Sequence, residues 1–536
     1  MLLLSVEKMM ELEKQADEQG YSTIEMMKAA GTSLATIVEQ RWQSLDNKII
    51  TALVGGGKNG ADTLIALAKL QHSGWQTRAV LLDTREQLDW VMQDVNDAGC
   101  EVLSFEKDHK RVSEVLKEST LVLDGILGTG FKPPMHDNLA EKMKFLNTHC
   151  KEKTIIAVDC PSGVDCSTGS VAPNTMKATL TVCMEAVKVG LVKFPAFEYV
   201  GELVCAEVGI VKKLRAKSDI GDIVIDYSMV GSVLPDRKMD SHKGSFGTVL
   251  VCGGSANYPG APVLTARSAN LIGAGLVKTA VPERIYDAVV GRSLESTWVI
   301  LDDENGVIAE SAIRIITKEI SQVDCLVLGP GIGHEDTTLR FLHGLLDTSR
   351  DQSPPKKMGL IPSGSTSQPG SITRMPPVVI DADGLRLLAK IHGWQKMLEG
   401  KAVILTPHPG EMSVLTGLTI EDIQNDRIEI CRKFAHEWQQ FVVLKGALTV
   451  VGSPDNRIAV CPVANSALAK AGSGDVLTGL IAGLVAQGAG LYEAATAGVW
   501  IHANAGLLAT IKGGSEHCVV LEDILAAIPE VVTQLN

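Results

Sequence analysis

The residues best suited to chemistry sit in short glycine-rich runs, each following an apolar stretch. GGGKNGAD at 55–62, DGILGTG at 124–130 and DCPSGVD at 159–165 supply Asn59, Asp124, Asp159 and Ser162 as convergent oxygen donors. A glycine loop that opens a helix turns its N–H groups toward a phosphate; otherwise it is only a tight turn. A lone Asp in such a place serves equally as a helix cap. Farther on, AGSGDVLTG at 471–479 sets small residues before Asp475. Consecutive N–H groups at a helix start can hold one anion, while an Asp just beyond takes a proton from a hydroxyl and the anion hole stabilises a transferring phosphoryl group. Runs of the same character are SHKGSFG at 241–247, GGSANYPGA at 253–261, GPGIG at 329–333, TPHPGE at 406–411 and KGALT at 445–449. His408 alone reads as a packed or capping histidine.

These runs need strands to carry them and helices to follow. A capping box at Ser22 and Glu25 opens a helix to about Arg41. Apolar runs at 49–54, 79–83, 121–124 and 155–159 read as strands, with a helix at 62–71. A second series at 248–252, 276–281, 325–328, 378–381, 403–406 and 441–444 reads likewise. Strands alternating with helices imply right-handed βαβ units and parallel sheets, whose ligands lie beyond the carboxyl ends of the strands. The fold class is therefore α/β, in two domains. The charged connector at 212–237 places the boundary near residue 220, and the Ser/Pro/Gly-rich segment 347–377 reads as a flexible surface insertion dispensable to the core.

Composition narrows the function. The net charge of −13 removes any general attraction to nucleic acid or anionic lipid, and 4% aromatics leave little for base stacking. Eleven scattered cysteines without a C-x-x-C pair argue against a disulfide scaffold or zinc ribbon and for reduced, cytoplasmic thiols. The start MLLLSVEKMM lacks the basic and apolar regions of a signal peptide. Two uncharged stretches, 476–492 and 494–511, read as buried core helices rather than membrane spans.

The three N-terminal runs, with KVGLVKFPAFEYVGELVCAEVG at 188–209, resemble the YjeF N-terminal, or NAD(P)HX epimerase, family over residues 1–215. The resemblance implies a Rossmann-like three-layer sandwich that interconverts the epimers of hydrated NADH and NADPH. It implies K⁺ held by Asn59, Asp124 and Ser162. It implies a substrate cradle of Lys58, Asn59, Gly60, Ala61 and Asp62 with Gly128, Thr129, Gly130, Phe131, Lys132, Pro133 and Pro134, and Asp159 as a catalytic residue facing the substrate. The family loop is usually GPGNNGGDG, from which Lys58, Ala61 and Thr63 depart. Lys58 is expected to point to solvent, away from the cation site. Ala61 is expected to be strained if its position needs a positive φ.

The later runs, with IDADGL at 380–385, resemble the ribokinase-like superfamily and, within it, the ADP/ATP-dependent NAD(P)HX dehydratase family over about 225–535. This implies a ribokinase-like three-layer sandwich that phosphorylates the C6 hydroxyl of the S-epimer from ADP and then eliminates phosphate. Ala261, Gly331, His408 and Asp475 would contact the hydrated nucleotide, with Asp475 as base. Lys445, Gly446, Ala447, Leu448, Thr449 and Gly474 would contact ADP or AMP, and Mg²⁺ would offset phosphate charge. The expected organisation is an epimerase-like domain at 1–215, a linker at 216–240 and a dehydratase domain at 241–536. The expected partners are small molecules (hydrated NADH or NADPH, and ADP) and further copies of the chain in a homo-oligomer, with no nucleic acid and no membrane. The alternative is a ribokinase-like kinase of a small heterocycle whose first domain is a degenerate nucleotide-binding or dimerisation module.

Overall fold

In the computed structural model the described residues are 1–83, 90–214, 221–347 and 375–535. Of the expected insertion, 348–374 lies outside them, as does 215–220 at the expected boundary. The chain divides into two units, Met1–Val224 and Ile225–Asn536. Within the segment expected as a linker, Tyr227–Val233 is a helix whose cap is the Asp226 side chain.

The N-terminal sheet consists of strands β1 (Ile49–Val54), β2 (Gln76–Leu81), β3 (Glu101–Ser104), β4 (Leu121–Gly125), β5 (Thr154–Val158), β6 (Leu180–Met184) and β7 (Glu202–Ala206). Their spatial order is β3-β2-β1-β4-β5-β6-β7, with every neighbouring pair parallel. Alternation along the strands makes the three layers. Ile50, Ala52, Val54, Leu121 and Leu123 join one core with Leu12, Leu34, Leu64 and Leu67 from helices. Leu53, Val80, Val122 and Ile155 point the other way, into a core with Val112, Val115, Leu116, Met143 and Leu146. Both faces are covered, as an all-parallel sheet requires.

The C-terminal unit repeats the principle. Strands β8 (Thr248–Cys252), β9 (Leu276–Pro282), β10 (Thr297–Leu301), β11 (Cys325–Leu328), β12 (Val378–Ile380), β13 (Val403–Leu405), β14 (Phe441–Leu444), β15 (Val450–Gly452) and β16 (Ile458–Val460) run in the order β16-β15-β14-β13-β12-β11-β8-β9-β10. Pairing is parallel from β10 to β14; β15 and β16 add antiparallel. Strands β11, β12 and β13 are buried along their whole length. The two uncharged stretches form the helices Ser473–Ala486 and Leu491–Gly513. The second is long and apolar enough to cross a membrane, but 67% of its apolar window is buried inside this fold, which accounts for its composition.

Candidate active sites

In the N-terminal unit the site gathers at the carboxyl ends of β1, β4 and β5. The helix after β1 starts at Lys58, four residues earlier than the sequence suggests, because Gly57 takes the N-cap position and accepts from Ala61 N at 3.2 Å. Lys58, Asn59, Gly60, Ala61 and Asp62 therefore lie on the first helical turns and not in an open loop. Ala61 is helical, and it is absent from the positive-φ residues, so the expected strain is not there. Close approach explains the small residues instead. A Cβ on Gly60 would lie 2.1 Å from the Gly55 carbonyl, and one on Gly125 would lie 2.0 Å from Thr63 Oγ1.

A continuous hydrogen-bond chain joins the three expected K⁺ ligands. Asn59 Nδ2 donates to the Leu127 carbonyl at 2.9 Å, and Leu127 N donates to Ser162 Oγ at 2.8 Å. Ser162 Oγ and N donate to the two oxygens of Asp124 at 2.5 and 2.8 Å. Asp124 is wholly buried; burial pushes its carboxyl above the usual range, opposed only by hydrogen bonds from Ser162 and Ile126. Asn59 Oδ1 is buried with no partner. An unpaired amide oxygen, a carbonyl and an uncompensated buried carboxylate within one hydrogen-bonded group suit a monovalent cation that prefers oxygen. Lys58 is not that cation: its side chain is 67% exposed and its ammonium lies 3.6 Å from Glu13.

Asp159 follows β5 with φ +64°, a conformation few residues other than glycine adopt. Its Oδ1 accepts from Met184 N at 2.9 Å and from the buried Lys188 ammonium at 2.5 Å. Burial draws the Lys188 pKa down and Asp159 more than restores it, so the net shift is upward. Lys188 is positioned by a two-residue parallel pairing of Val187–Lys188 with Leu3–Leu4. Asp62 is also buried; burial first, then Asp159 and Glu13, push its carboxyl up to about 8. Of the expected cradle, Gly128 packs against Asn59, whereas Lys132 turns away to Asp165 and Ser167, both at 3.0 Å. Thr129 and Phe131 are half-buried and Gly130, Pro133 and Pro134 exposed. Lys188 was missed by sequence reasoning, although it opens a quoted run; a lysine followed by apolar residues carries no local sign of an ion pair.

In the C-terminal unit the residues again meet at the carboxyl edge. Asp475 lies on the first turn of Ser473–Ala486, after Gly472 at φ +92°. Lys445, just after β14, is half-buried and donates to Asp381 Oδ1 at 2.5 Å; its ammonium is 3.7 Å from Glu411. Thr478 donates to the other Asp381 oxygen at 2.6 Å. A Cβ built on Gly474 would lie 3.3 Å from the Lys445 ammonium, so this cation stands at the helix start. Burial, then Asp381, push the Asp475 carboxyl up to about 7; burial does the same to Glu411, against the pull of Lys445. His408 caps the helix Pro409–Thr416, its Nδ1 accepting from Gly410 N and Glu411 N at 2.9 and 3.2 Å, and burial lowers its pKa. Ala261 opens a helix and faces Gly331: a Cβ on Gly331 would lie 3.1 Å from that of Ala261. In the turn 445–449, Thr449 Oγ1 donates to the Gly446 carbonyl at 2.8 Å, Leu448 is buried at φ +56°, and Ala447 is exposed.

Asp381, Glu411, Thr478 and the buried His502, whose Nε2 lies 3.0 Å from Ser473 Oγ, complete the cluster. Sequence reasoning did not single them out as site residues. Asp381 and Glu411 stand inside quoted motifs; Thr478 lies one turn after Asp475 and could have been found from helical spacing. Among the described residues no group of three or more His, Cys, Asp or Glu could hold a metal ion. Both Asp381 oxygens are engaged, so Mg²⁺ fits here only with phosphate oxygens completing its shell beside Asp475 or Glu411.

Comparison with known proteins identifies the family of each unit. Residues 23–190 match the family model of the YjeF-related protein N-terminus, and 249–352 with 370–530 match that of NAD(P)H-hydrate dehydratase. A bifunctional NAD(P)H-hydrate repair enzyme of Moorella thermoacetica is 33% identical, covering 100% of this chain and 97% of its own. That of Dictyoglomus turgidum is 30% identical over 100% of both. A solved ADP/ATP-dependent NAD(P)H-hydrate dehydratase from Bacillus subtilis is 26% identical, matches 58% of this chain and 98% of its own, and has a TM-score of 0.46. With both families matched in order along one chain and full-length relatives at this identity, the chain belongs to the bifunctional NAD(P)H-hydrate repair enzymes, which join an epimerase to a dehydratase.

Proposed function

We propose that the cluster around Asp475 dehydrates the S-epimer with ADP as phosphoryl donor, and that the cluster around Asp159 supplies that epimer from its R counterpart. The observation that carries the first half is the meeting of three features at one place: the helix N-terminus at Gly472–Gly474, the Lys445 ammonium beside Gly474, and the Asp475 carboxyl, pushed up to about 7 as suits a base at neutral pH. Asp475 takes the proton of the C6 hydroxyl as that oxygen attacks the terminal phosphoryl group. Lys445 and the helix start hold the charge gathering on the phosphoryl oxygens. The ring nitrogen lone pair then expels phosphate, and loss of a C5 proton restores the dihydropyridine. Mg²⁺, when bound with the nucleotide, supplies further neutralisation of phosphate charge.

In the N-terminal unit, K⁺ held by Asn59, Asp124 and Ser162 would offset the buried carboxylate and anchor the substrate's oxygen groups beside Asp159. A cytoplasmic location is favoured by the cysteines: all eleven are free, and Cys518 alone is exposed. The test is Asp475→Asn. Dehydration of S-hydrate is expected to fall ~10²–10⁴-fold while ADP still binds. A variant keeping more than about a tenth of the wild-type kcat would remove Asp475 from this role.

A further inference from the structure

Asp62 is 9% exposed, its Oδ1 has no hydrogen-bond partner, and it stands on the first turns of a helix whose N-cap, Gly57, offers no side chain. A carboxylate buried in this way is unfavourable unless it is neutral or paired. The charges that face it are Asp159 and Glu13, which oppose ionisation, and Lys58 and Lys188, which favour it. Lys188 is engaged with Asp159, and Lys58 is largely exposed toward Glu13. Neither ammonium is bonded to Asp62.

We propose that Asp62 is the acid of the epimerisation, donating the proton that the C6 hydroxyl takes as it leaves. This rests on placing epimerisation at the Asn59–Asp124–Asp159 cluster. Asp159 is the ion-pair partner of Lys188, and its charge, added to burial, holds the Asp62 carboxyl against ionisation so that Asp62 carries the proton. The Asp62 proton passes to the hydroxyl oxygen, the C6–O bond breaks, the N1 lone pair forms the N1=C6 bond, and water departs. Water then adds to the opposite face: a C6–O bond forms, the N1=C6 electron pair returns to N1, and the surplus proton returns to the Asp62 carboxylate. Nothing is oxidised or reduced. The carboxyl pushed up to about 8 keeps its proton at neutral pH, as this step needs.

The test uses the full chain without ADP, following conversion of R-hydrate to S-hydrate by chromatography above the spontaneous rate, for wild type, Asp62→Asn, Asp62→Glu and Asp159→Asn. The wild-type kcat is expected to fall as pH rises through about 8, where Asp62 loses its proton. Asp62→Asn is expected to lose ~10²–10⁴-fold with a residual rate flat across that range, and Asp62→Glu to restore the falling limb. Dehydration of S-hydrate with ADP by the same preparations reports that the C-terminal unit is intact, and a denaturation transition like that of wild type reports that the N-terminal unit is folded. Asp62→Asn keeping more than about a tenth of the rate, or keeping the falling limb, while Asp159→Asn is inactive would overturn the role of Asp62 alone. If neither substitution slows epimerisation, the placement of the site fails with it.

Discussion

Asp475 and Asp62 are both carboxyls raised by burial, and they are given opposite tasks. A base works once it has lost its proton, so dehydration is expected to rise with pH through about 7 and level off above it. Glu411 titrates in the same range, so the rising limb belongs to the Asp475–Glu411 cluster as a unit. A profile of kcat on S-hydrate that instead fell through about 7 would be incompatible with Asp475 as base. Lys58 makes a second case at this scale. Its pair with Glu13 is exposed, and such pairs are worth about 0–1 kcal/mol. Lys58→Asn is therefore expected to leave epimerisation within about fivefold of wild type, with both proteins faster in KCl than in a choline salt. Wild-type activity indifferent to potassium, beside a variant that depends on it, would mean the ammonium substitutes for the ion.

Elements carry what single residues cannot. Asp159 is fixed by a positive φ after β5, by Met184 N at the end of β6 and by Lys188, itself fixed by pairing with Leu3–Leu4. Replacing Lys188 with Met leaves a half-buried carboxylate without its cation, and the N-terminal unit is expected to lose about 3–5 kcal/mol. Chemical denaturation reads this directly; a loss below about 1 kcal/mol would show that Asp159 is satisfied without Lys188. The strands were largely legible: Ile49–Val54, Thr248–Cys252, Cys325–Leu328 and Phe441–Leu444 coincide with their apolar runs. The capping box at Ser22 and Glu25 forms as the spacing requires. Less legible was where loop becomes helix. Gly-Lys-Asn-Gly-Ala reads as loop by propensity, yet tertiary contact at Gly60 and Thr63 draws the helix back to Lys58. The strands Glu101–Ser104, Leu180–Met184 and Thr297–Leu301 were missed because Glu, Ser or Thr dilutes their apolar runs, and β15 and β16 because each is three residues long.

For the whole molecule, two mainly parallel sheets each bring their polar residues to the carboxyl edge, and each edge gathers carboxylates around one lysine, Lys188 or Lys445. The motifs named most of each cluster. They could not show that Lys445 joins Asp381 or that Lys188 joins Asp159, because those pairs span 64 and 29 residues and exist only once the sheets form. What joins the units is chemistry: the product of one is the substrate of the other. The decisive measurement supplies purified S- and R-hydrates of NADH separately, with ADP or ATP, and follows the absorbance of NADH. We predict immediate NADH from S-hydrate with ADP. From R-hydrate we predict NADH well above the spontaneous rate in wild type, and NADH slowed ~10²–10⁴-fold from either epimer with Asp475→Asn. R-hydrate yielding NADH no faster than it epimerises unaided would contradict the joining of both activities in this chain.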